Sequence, residues 1–133
     1  MSPRPSRPTD AELAILRILW AKGPCTVRQV YEALSEGRDL GYTTALKLLQ
    51  VMTDKGLTTR EPLGAQQHVY RARHSEARTQ RQLLTDLLDR AFGGSMSQLV
   101  MQALATKKAS AEELRTIRQL LGTDAQKKEP RDA

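Results

Sequence analysis

Two helix stops, Gly23-Pro24 and Gly56, cut the first half of the chain into short helical pieces. Before the first stop, Leu13, Ile15, Leu16, Leu19 and Trp20 recur near the 3.6-residue period of a helix. Thr9 and Glu12 stand three apart ahead of this stripe, the spacing at which each side chain satisfies a free N–H of the first turn. After Gly23-Pro24, Cys25 reads as a short extended piece and Thr26 as the cap of a second helix over about 27–35. Val27, Val30, Tyr31 and Leu34 form its buried face. A turn-rich connector from Ser35 to Gly41 leads to a third helix, from Tyr42 or Thr43 to Lys55. Its expected inward face is Ala45, Leu48, Leu49 and Met52, and Gly56 fits the left-handed position just past its end. Leu57–Arg60 and Gln67–Arg73 then read as two strands around a Pro62-Leu63-Gly64 turn, with Val69 in the middle of the second.

Helix, helix, helix, hairpin is the order of a winged helix-turn-helix domain, expected over 9–74 after a flexible arm at 1–8, although three helices and two strands also suit an unrelated small α+β domain. The rest is helical by pattern. Leu83, Leu84, Leu87, Leu88, Ala91 and Phe92 mark a fourth helix, broken by Gly93-Gly94. Ser95 caps a fifth, carrying Leu99, Val100, Ala103 and Leu104. Ser110 and Glu113 repeat the capping-box spacing and open a sixth, with Leu114, Ile117, Leu120 and Leu121 on its apolar face and Gly122 as its stop. Three short amphipathic helices bury little among themselves, so their stripes must meet either a second copy of the chain or the first domain. The reading adopted is a dimerisation domain over 75–122, in contact through Leu84, Leu87, Leu88, Leu99, Val100, Leu104, Leu114, Ile117 and Leu121, then a disordered tail at 123–133. The fold class is mainly α (α+β).

Composition narrows the function. A formal net charge of +6 favours an anionic partner. One Trp, one Phe and three Tyr are too few for a protein that stacks single-stranded bases on aromatic platforms. Cys25 is the single cysteine, and neither His68 nor His74 stands at ligand spacing from it, so no metal, cofactor or disulfide is expected. No nucleophile–base–acid constellation or phosphate loop is visible, so an enzyme is not expected. No apolar run reaches membrane-spanning length and no signal-peptide pattern follows the N-terminus, which reads as a cytoplasmic protein without a membrane partner.

The remaining candidate chemistry is reading double-stranded DNA. A helix in the major groove shows its N-terminal residues and outer face to base edges. With Ala45, Leu48, Leu49 and Met52 inward, the outward set is Thr43, Thr44, Leu46, Lys47 and Gln50, with Tyr42 at the entrance. Threonine and glutamine can pair with base edges, lysine reaches guanine or phosphate, and the Tyr42 hydroxyl suits a phosphate. Arg28, in the first turn of the second helix, and Arg60, Gln67, His68 and Arg71 on the hairpin are phosphate candidates. A winged helix that binds a protein instead of DNA is the competing reading, and it would show a larger apolar patch on this face.

Five stretches carry a resemblance to the penicillinase-repressor family of bacterial regulators, over roughly residues 9–122. They are Ala11 to Trp20, Val27 to Leu34, Asp39 to Gln50, Lys55 to Leu57, and a hairpin ending near Tyr70. The resemblance implies a homodimeric repressor on a palindromic operator, of the β-lactam-response type, with a regulatory protease as a further partner. The family's copper-responsive branch carries a cysteine-rich C-terminal site, whereas this chain has no cysteine after Cys25. Its antibiotic-responsive branch is cut at an Asn–Phe bond; the matching place here is Met101-Gln102-Ala103, where no such bond occurs.

Overall fold

A computed structural model of the chain describes residues 7–36, 40–106 and 108–128. The expected arm lies mostly outside these residues, as do three positions of the 35–41 connector and the last five of the tail. The elements run α1 (Asp10–Lys22), β1 (Cys25–Thr26), α2 (Val27–Ser35), α3 (Tyr42–Lys55), β2 (Thr58–Leu63), β3 (Gln67–Ala72), α4 (Glu76–Ala91), α5 (Met96–Thr106) and α6 (Ala111–Lys128). Packing divides the chain into two compact units, 1–85 and 86–133, so the first part of α4 belongs with the first unit.

The first unit is a winged helix. Its starts and stops are made by the residues that signal them. Thr9 and Glu12 close a capping box on α1, and Thr26 and Gln29 close one on α2. Gly23 and Gly56 both take positive φ, and the Gly56 N–H returns to the last turn of α3. The core is one cluster of Ile15, Leu16 and Leu19 from α1, Val27, Val30 and Leu34 from α2, Ala45, Leu49 and Met52 from α3, with Cys25, Leu57 and Tyr70. Truncating a residue such as Leu49 to Ala at a site this closed costs about 2–5 kcal/mol.

The sheet has three strands in the order β1-β3-β2, all antiparallel. β1 is a strand of two residues, with Cys25 opposite Tyr70 and Thr26 opposite Val69. It ties the start of α2 to the hairpin. β2 runs further than its sequence suggests: Pro62 and Leu63, expected in the turn, pair with His68 and Gln67. Pro62 is tolerated because β2 is an edge strand, where a missing N–H need not break the ladder. Tyr70, rather than Val69, is the residue β3 buries.

In the second unit, Gly93 and Gly94 both adopt positive φ and end α4. Ser95 Oγ accepts from the Gln98 N–H, and Ser110 and Glu113 form a reciprocal pair at the head of α6. The expected stop at Gly122 does not occur; α6 passes through it to Lys128. A single helical glycine costs only about 1 kcal/mol, too little to end a helix by itself.

Candidate nucleic-acid interface

The candidate interface is built on α3, and two contacts fix that helix at its C-terminal end. Lys55, in the last turn, places Nζ 2.7 Å from Glu12 Oε1. The same oxygen accepts from the Thr9 N–H at 2.8 Å, so the end of α3 is clamped to the cap of α1. Glu12 is buried. Burial pushes its carboxyl up, but the Lys55 ammonium and the Thr9 amide outweigh this and hold it below the usual glutamate value. Nearby, Thr53 Oγ1 and Thr58 Oγ1 share a hydrogen bond of 2.9 Å, joining α3 to β2. Lys55 and Thr58 carry no local signal of these roles, since both partners are distant or lie beyond the helix stop.

The N-terminal end of α3 is unlike those of α1 and α2. Gly41 is its N-cap and no side chain caps it; like α2, it has no acidic residue in its first turn. Thr43, Thr44, Lys47 and Gln50 are exposed, as expected. Tyr42 is partly exposed, with its ring edge-on to Tyr31 at 5.8 Å. Leu46 departs from expectation: it is half-buried and packed on the core, because the buried stripe of α3 is wide enough to take it. Leu48, expected inside, packs on the core as Leu46 does but is likewise only half-buried, and Val51 is 40% exposed. Together with Thr43, Thr44 and Lys47 they line a groove of about 250 Å³ along α3. Leu48 and Val51 are the positions on this face that the sequence reading did not include.

Around this helix, Arg28 is exposed on the first turn of α2, with Nε 3.4 Å from Glu32. On the hairpin, Arg60 and Gln67 are exposed, His68 is half-buried, and Arg71 lies 3.5 Å from Glu61. Cys25 is buried, its thiol donating to the Gly23 carbonyl, and burial raises its pKa. A thiol so placed is a packing group. Among the described residues no cluster could hold a metal ion, and no helix is long and apolar enough to cross a membrane.

The sequence from residue 8 to residue 123 matches the penicillinase repressor family. The chain belongs to that family. It is 51% identical over 49 residues to the transcriptional regulator BlaI of Mycobacterium tuberculosis, in two strains. That match spans 36% of this chain and 36% of the relative. A solved structure of the PcaV transcriptional regulator from Streptomyces coelicolor, in complex with its natural ligand, aligns with a TM-score of 0.49 and 19% identity, covering 91% of this chain and 77% of that one. Family and relatives are regulators and not enzymes, in keeping with the lack of catalytic motifs in the sequence.

Proposed function

We propose that this penicillinase repressor family member is a sequence-specific transcriptional repressor of the β-lactam-response type, binding a palindromic DNA operator as a homodimer. The observation that carries the reading is the α3 surface: an uncapped helix start followed by exposed Thr43, Thr44 and Lys47, with no acidic residue in the first turn. Free N–H groups at a helix start suit phosphates, and the exposed side chains suit base edges. Arg28 on α2 and Arg60 and Arg71 on the hairpin supply charge for the flanking backbone.

The homodimer reading rests on the second unit. Among its described residues up to 122 none is buried, and Val100, Leu104, Ile117 and Leu121 are exposed. Leu87 is exposed as well, Leu88, Leu99 and Leu114 are half-buried, and Leu84 is exposed within the first unit. A regulatory protease, if it acts near Met101, Gln102 and Ala103, meets exposed residues in the middle of α5. Proteases take extended chain, so α5 must open locally first; in the single chain it has no buried residue, and pairing through Val100 and Leu104 adds to the cost of opening it.

The test is a selection of duplexes from a randomised pool by the full chain, followed by binding titrations on the selected and scrambled sequences. The expected outcome is a palindrome bound tightly by two chains. Recovery of no common sequence would leave the α3 face without its assigned role.

A further inference from the structure

We infer that the groove along α3 is a thymine-methyl reader: Leu48 and Val51, with the methyl groups of Thr43 and Thr44, recognise C5-methyl groups on the major-groove edge of the operator. The inference deepens the DNA-binding reading and rests on it.

Thr43, Thr44, Lys47, Leu48 and Val51 stand at i, i+1, i+4, i+5 and i+8, which at 100° per residue is one continuous face. Four of these five side chains end in methyl groups, and the fifth is a cation. All five lining residues among those described come from α3, so the face they form is the surface of one helix. Such a surface enters another molecule's groove; it does not receive a helix. The lining carries an ammonium and no carboxylate, which favours an anionic partner. A DNA major groove is about 12 Å wide and admits one α-helix. The apolar feature it offers is the thymine methyl. The rest of its edge is hydrogen-bonding, and Leu48 and Val51 can use none of that. The row of methyls therefore selects thymines, while Lys47 and the threonine hydroxyls pair with the polar groups between them.

The experiment uses the full chain and the operator recovered by selection, made with thymine or with uracil at chosen positions. Uracil keeps the base pairing and removes only the methyl. Wild type is expected to bind the uracil operator about fourfold more weakly for each contacted methyl. Single thymine-to-uracil changes should localise the loss to the same positions in both half-sites. Val51 is partly exposed, so Val51→Ala keeps the fold, as a thermal melt verifies. This variant should bind the thymine operator more weakly and lose most of the discrimination at one thymine, a coupling between that methyl and that side chain. Equal binding of thymine and uracil operators by wild type overturns the inference while leaving the DNA-binding reading intact. So does an undiminished uracil penalty at every thymine in Val51→Ala. Failure of the selection to yield any preferred sequence removes the DNA-binding reading itself, and this inference with it.

Discussion

At the scale of single residues, two of the arginines proposed to meet phosphate are paired with carboxylates. Arg28 pairs with Glu32 one turn along α2, and Arg71 with Glu61 across the hairpin, and all four side chains are more than half exposed. Such pairs contribute about 0–1 kcal/mol to stability, so DNA displaces them readily. The carboxylates still repel phosphate. Glu32→Gln and Glu61→Gln are therefore expected to raise affinity for any duplex severalfold at low salt, with the gain fading as salt screens it. Titrations on scrambled DNA at several salt concentrations check this, and unchanged or weaker binding would refute it. Arg28→Ala should weaken operator and scrambled DNA alike and reduce the salt slope by about 0.9 per subunit. Lys47→Ala, by contrast, should cost about 1–3 kcal/mol on the operator and relax base preference. Thr43, Thr44 and Lys47 were legible as an outward face because they lie opposite Ala45, Leu49 and Met52. Leu46 and Leu48 were not, because both sit at the margins of that stripe, where neighbouring elements decide burial.

At the scale of elements, what could be read was what is encoded locally. Both capping boxes named from their spacing, Thr9 with Glu12 and Ser110 with Glu113, are present, because each joins residues three apart. Gly23, Gly56 and the Gly93-Gly94 pair stop helices as expected, since each takes a backbone conformation other residues disfavour. The extended piece at Cys25 was legible, but its pairing was not, because a strand of two residues is fixed only by a partner some 45 positions away. The α1–α3 clamp escaped for the same reason: Glu12 shows as a capping residue, and nothing near it announces Lys55. That clamp gives an element-scale prediction. Glu12→Gln leaves the Lys55 ammonium without its carboxylate and should destabilise the first unit by about 1–3 kcal/mol at neutral pH. Because the folded-state pKa of Glu12 is lowered, the carboxylate's contribution is present above the unfolded value and is lost as pH falls through the folded one. The stability gap between wild type and Glu12→Gln should thus close in acid. Denaturant melts across pH check it, and a gap that widened in acid would show that the carboxylate is not the stabilising form.

At the scale of the whole molecule, the two units present opposite surfaces. Among its described residues the first has a core of twelve buried apolar side chains. The second has helices with apolar positions and no core of its own among the residues described up to 122. Val100 and Leu104 lie one turn apart on α5, as Ile117 and Leu121 do on α6, and Leu121 is 65% exposed. Leaving two such rows in water forfeits about 25 cal/mol for every Å² that a partner could cover. In the proposed homodimer a second copy would supply the matching surface without any further component, and closed two-fold pairing is the commonest way chains meet. The proposed pairing would also serve the proposed DNA reading by the first unit. One recognition helix reads only a few base pairs, whereas two on one side of the duplex, about 10 base pairs apart, read a palindrome. Joining them makes the second contact intramolecular, which can raise overall affinity by about 10²–10⁴. Leu104→Glu and Leu121→Glu each place a charge in the row, so the full chain should sediment as a monomer. The melting transition of the first unit should be unchanged, because its core lies elsewhere. Operator binding should fall by about two orders of magnitude or more, and the residual affinity should match that for a single half-site. A dimer that survived both substitutions would move the interface off α5 and α6. A monomer that kept full operator affinity would remove the link between pairing and DNA reading.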